Sequence, residues 1–231
     1  MSYNIKDGKL VRRKQIILPL IILSNLFPLY GAIHYNWTLF SIVYLYWIEL
    51  IIISTFSLLK IILAQGDVQI TWFGKLKLAM RFFIIRSLIF LFYLSFIIVF
   101  LGLYSNLQHS ENTIKNLEVI YLKDTFYKIT LLGFILYNTL EFVIFYILNN
   151  TYKTALPNDY YSILDVHIFV VHIVVVLGTF TYQWAVEKFH LSHRHAMIAC
   201  VVLFVVVKII ADICKQSYSN ESTDEVTNKY I

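Results

Sequence analysis

Cysteine, glycine and charge are all scarce in this chain of 231 residues. The two cysteines, Cys200 and Cys214, lie in or beside the last apolar run, which excludes a disulfide framework; they read as free, small, buried side chains. Only seven glycines occur, and no phosphate-cradling glycine loop, G-x-S-x-G or H-E-x-x-H is present. Within the apolar runs no two acids are adjacent. The two histidines within apolar runs, His167 and His172, share one run, which does not suit transverse ligation of a haem pair. Charged residues make up 14%, against about 25% in a soluble domain.

What is abundant is apolar. Hydrophobic residues make up 59% of the chain, with 17 tyrosines and 18 phenylalanines, as expected where many helix ends meet a lipid–water interface. The apolar residues form runs long enough to cross a bilayer, at about 20 residues each. The pattern predicts an all-α, polytopic bundle of six transmembrane helices over 15–33, 38–63, 82–104, 126–148, 163–186 and 196–213. Residues 1–14 form a basic segment, and residues 214–231 form a polar tail read as disordered. A basic start before an apolar run also fits a signal peptide, but the run has full spanning length and no clear small-x-small site follows. Pro28 is expected to kink the first helix. The stretch Val68–Arg81 mixes aromatics with Lys75, Lys77 and Arg81. It reads either as a segment lying in the interface or as a loop with aromatic anchors.

The net charge of +5 is no nucleic-acid signal, because the bases cluster at the ends of apolar runs. Lys and Arg are concentrated in 1–14 and after the second run, and the turn at His34 has none. That places both termini in the cytoplasm and the chain in the cell membrane, with the lipid bilayer as its surroundings. The faint likeness of Tyr46-Trp47-Ile48-Glu49 to the stretch ending at Glu141 differs in offset and supports no repeat.

Glu49 lies near the midpoint of the second run. An ionised carboxylate there costs several kcal/mol and needs a partner, water or a proton. Tyr46 is three residues earlier, so its phenol can lie beside that carboxylate. Other polar groups within or bordering the runs are Asn25, Arg86, Asn138, Glu141, Asp165, His167, His172, Lys208 and Asp212. The expected topology puts most of them in the cytoplasmic half, pairing inside the bundle or lining an opening to the cytoplasm. Lys208 and Asp212, four apart, can pair on one helix face, although snorkelling is the favoured reading so near a helix end. Asp165 and His172 are two turns apart on a common face, and Asp165 also suits a helix cap. A second group, Glu187, His190, His193 and His195, shares the outer face with His34 and His109. Imidazoles so spaced can bind zinc or copper, but no strict motif is met, and a solvated loop is the favoured reading. No cofactor is expected.

Asn25-x-x-Pro28-Leu29-x-Gly31, then Trp37, then Tyr46-Trp47-x-Glu49 and Lys60, resembles the start of a bacterial and archaeal integral-membrane family of unknown function. His172 and Lys208-x-x-x-Asp212 resemble its ending. Phe82-Phe83-Ile84-Ile85-Arg86 keeps the aromatics of that family's third span and lacks its histidine. The resemblance implies a six-helix fold and no established activity.

Three functions fit these features. One is a small proton- or cation-responsive transporter or channel using Glu49, with Glu141, Asp165, His172 and Arg86 toward the cytoplasm. Another is a non-catalytic subunit or scaffold, as a homo-oligomer or beside a membrane protein partner. The third is an intramembrane enzyme acting on lipid, metal-assisted through the outer histidines. The lack of a catalytic motif leans against an enzyme.

Overall fold

The computed structural model describes residues 5–66, 70–99, 116–163 and 166–228. These are mostly helical, with no strand among the described residues: α1 (Ile5–His34), α2 (Leu39–Leu63), α3 (Trp72–Phe96), α4 (Thr125–Glu141), α5 (Val166–Phe189) and α6 (His193–Asn228). Four helical stretches among the described residues are long and apolar enough to cross a membrane: Leu39–Leu63, Trp72–Val99, Asn116–Leu148 and Arg194–Cys214. Ile21–His34 adds a shorter apolar helix. The chain is an apolar helical bundle of the kind that spans bilayers.

Helix α2 is the hub and touches all five others. Its buried residues lie nearly all round its first half, from Phe40 to Leu50. The outer helices bury single stripes. On α3 these are Ala79, Phe82, Arg86 and Tyr93; on α4 they are Tyr127, Thr130, Leu131, Phe134 and Asn138. Both follow the three-to-four-residue period of one helix face. Their other faces expose large apolar side chains such as Phe83, Leu88, Leu91, Leu132 and Leu136, as lipid-facing positions do.

Several boundaries differ from the sequence reading. Trp72–Arg81 is neither a separate interfacial segment nor a loop but the opening turns of α3. The Thr71 hydroxyl caps it by accepting from the Gly74 amide at 3.3 Å. Helix α1 begins at Ile5, within the basic segment, and carries Pro19 and Pro28 inside it. Helix α6 continues to Asn228, through the stretch read as a disordered tail. Helix α4 passes into a π-helical segment, Phe142–Leu148.

Each end of the bundle is closed by a tight contact around a glycine. At the His34 end the Trp37 indole lies on Gly31, where a Cβ would stand 2.3 Å from the ring. The Trp37 Nε1–H donates to Asp124 at 2.7 Å, and the ring meets Tyr127 edge-on at 5.1 Å. At the Lys60 end, the Gln65 and Gly66 amides donate to the Tyr152 and Ala155 carbonyls at 2.7 and 2.9 Å. A Cβ on Gly66 would sit 2.2 Å from the Thr154 carbonyl oxygen, so only glycine permits this approach.

Candidate functional site

The α6 stripe Val201, Phe204, Val205, Lys208 faces the bundle core. On α2, Tyr46, Glu49 and Leu50 share one inward face, and on α1 Asn25 lies a turn beyond Ile21. These three faces meet. Glu49 is about 15 Å along α2 from its His34 end, a distance equal to about half of a hydrocarbon core about 30 Å thick.

There the Lys208 ammonium donates to Glu49 Oε1 at 2.9 Å and to Asp212 Oδ2 at 3.1 Å. The Asn25 amide Nδ2 donates to Asp212 Oδ2 at 3.0 Å and to the Ile21 carbonyl at 2.9 Å. The Tyr46 ring lies 5.7 Å from the ammonium and the Phe134 ring 6.0 Å, both within cation–π range. The Glu49 and Lys208 side chains are only 6% exposed, so this is a core ion pair. Taking each ion out of water costs several kcal/mol, which direct contact on two sides offsets. Lys208 and Asp212 therefore do not snorkel. Their face of α6 packs against α1 and α2, and the Lys208 and Asp212 side chains are only 6% and 11% exposed.

Both Asn25 Nδ2 partners are acceptors, which fixes the orientation of the amide. Its Oδ1 is then buried with no donor among the described residues. The Tyr46 hydroxyl, on a residue 1% exposed, likewise has no partner among them. A buried polar group without a partner costs about 1–3 kcal/mol.

The remaining polar residues lie elsewhere. Glu141 is 3.8 Å from Lys60 at the opposite end of α2, both partly exposed, and Lys60 also faces the Tyr160 ring at 5.7 Å. Arg86 donates to the Ser162 carbonyl at 2.6 Å and lies over Phe82, so it ties α3 to the segment before α5. Asn138 donates to Phe134 in its own helix at 2.8 Å. His167 and His172 lie on α5 with only their backbone described, and Asp165 and His109 lie outside the described residues. His190 and His195 are exposed, and His195 Nδ1 bonds the Ser192 hydroxyl at 2.6 Å. Glu187 is on the last turn of α5, and the His193 side chain is not described. Among the described residues no three His, Cys, Asp or Glu side chains come together in a way that could hold a metal ion.

Sequence reasoning missed Phe134 and Tyr137. The Tyr137 hydroxyl lies within electrostatic range of Glu141, Asp212, Lys208 and Glu49. Its position four residues before Glu141 was the available signal. The cluster holds one positive charge between two carboxylates.

No curated protein and no solved structure matches the chain. A family model does match, over residues 9–229, nearly the whole length, and the chain belongs to that family, a family of unknown function (DUF6498).

Proposed function

We propose that the protein is a small transporter or channel of the cell membrane that moves protons or cations through the Glu49–Lys208–Asp212 cluster. One observation carries this: a single ammonium held at mid-membrane between carboxylates from two different helices, at 2.9 and 3.1 Å. A static scaffold gains little from such a group, since a well-packed apolar trio in its place is often neutral or stabilising. An ammonium that can move between two carboxylates makes the contact of α2 with α6 depend on charge, and intramembrane ionisable groups commonly serve that role. On this reading Lys60 and Glu141 mark the side from which an ion reaches the cluster, and Tyr137 is within electrostatic range of Glu141 and of the cluster. The Trp37–Asp124 contact closes the other side. The concentration of Lys and Arg supports a cytoplasmic Lys60 end and cytoplasmic termini. The test is reconstitution in liposomes holding a pH-sensitive dye. Glu49→Gln is expected to abolish a proton or cation flux that the native protein supports, and an unchanged flux overturns the proposal.

A second reading is favoured by the Asn25 amide, which ties α1 into the same network. On that reading the cluster is a lock holding three helices of a non-catalytic subunit in register. Glu49→Gln would then lower the melting temperature with no flux to lose, and a defined membrane partner would co-purify.

A further inference from the structure

We infer that the cluster is a binding site for sodium, with Asn25 Oδ1, the Tyr46 hydroxyl and the Glu49 and Asp212 carboxylates as its oxygens, and Lys208 as a tethered stand-in for the ion. The inference rests on the transport reading above and names its cargo.

Two polar atoms that the ion pair does not use point to a ligand. Asn25 is fully buried, and its amide nitrogen is committed to Asp212 and Ile21, which fixes its oxygen on the amide that bonds the Asp212 carboxylate. That oxygen can only accept, and it receives no donor among the described residues. The Tyr46 oxygen is equally enclosed, one helical turn from Glu49, on a ring within range of the Lys208 ammonium. A cation placed among these groups would satisfy both at once.

The donor set decides the class of ion. All four groups offer hard oxygens, and no histidine or cysteine joins them among the described residues, which selects a hard cation over zinc or copper. The geometry already accepts one singly charged group, the ammonium, at hydrogen-bond distance from both acids. A monovalent ion is its like-for-like replacement, whereas magnesium dehydrates reluctantly and keeps several waters. Asn25, Tyr46, Glu49 and Lys208 are all nearly inaccessible, so an ion held among them would be bare of water, which favours a small one. Sodium entering this site would release the Lys208 ammonium from Glu49, which links ion occupancy to the fit of α2 against α6.

The experiment uses the purified full chain in detergent. Melting temperature is followed against sodium chloride, with choline chloride at equal ionic strength as control, and binding of radioactive sodium is measured directly. Saturating sodium is expected to raise the melting temperature by roughly 5 °C over choline. Tyr46→Phe keeps the ring and removes one oxygen, and is expected to weaken sodium binding roughly tenfold. Identical melting in the two salts together with no bound sodium overturns the inference, whichever variants fold. So does a Tyr46→Phe protein that binds sodium as tightly as the native one. Loss of the sodium effect with a Glu49-dependent proton flux retained refutes the sodium site and leaves the transport reading. Sodium binding without any flux supports the site and removes that reading.

Discussion

Replacing Lys208 with methionine removes the ammonium and keeps most of the side-chain volume. Among the described residues it leaves the Glu49 and Asp212 carboxylates facing each other without the cation they share. Breaking a buried pair in this way costs about 3–5 kcal/mol. Glu49→Gln removes a partner too, but Lys208 keeps Asp212 at 3.1 Å and the glutamine oxygen can still accept its hydrogen bond. Its cost is that of one weakened bond, about 0.5–1.5 kcal/mol. For a chain of this size each kcal/mol moves the melting temperature by about 2–4 °C, so Lys208→Met is expected to lose about 6–20 °C. Glu49→Gln is expected to lose about 1–6 °C on the same scale. The sharper expectation is a change of sign: adding Glu49→Gln to Lys208→Met should raise stability, because it removes one of two like charges that the ammonium no longer bridges. Thermal melts of the four proteins in one detergent complete the double-mutant cycle. Equal losses in the two single variants, or a double variant less stable than Lys208→Met, would refute the shared-ammonium account.

Three further expectations follow from the packing. Gly31→Ala drives a Cβ into the Trp37 ring and should cost about 1–3 kcal/mol, with tryptophan emission shifting to the red; native-like emission and melting would contradict the contact. Trp37→Phe keeps a ring but loses the bond to Asp124, so it should destabilise by about 1.5 kcal/mol, and Asp124→Asn should then add little. A thiol reagent should modify Cys214, which is exposed, in the folded protein and reach the fully buried Cys200 only on unfolding; early labelling at Cys200 would argue against the α6 packing.

The apolar runs were legible because bilayer length and backbone satisfaction leave few alternatives to a helix. The Lys208–Asp212 pair was legible too, since four residues bring side chains onto one face. Its burial was not. Helix α6 is apolar nearly all round between Ala196 and Ile213, so no polar stripe marks which side meets the protein and which meets lipid. Only the packing of α6 on α1 and α2 decides that, and it sets the ammonium against Glu49, 159 residues away in the chain. The extent of α3 was misjudged for a local reason: the bases after Thr71 suggested an interface, while the threonine itself is an ordinary cap. The Arg86 contact with the Ser162 carbonyl depends on how the chain before α5 returns across α3, which no periodicity encodes. For the outer histidines, spacing alone said nothing about convergence.

Glu49 and Lys60 are eleven residues apart on α2. Eleven residues make just over three whole turns, so both project from one side of a rod, about 16 Å apart along it. Any axial slip or twist of that rod therefore displaces the deep carboxylate and the near-surface ammonium by the same amount. Displacements at the Lys60 end and at Glu49 are thus in mechanical register, with no chain of intermediates needed to carry the message.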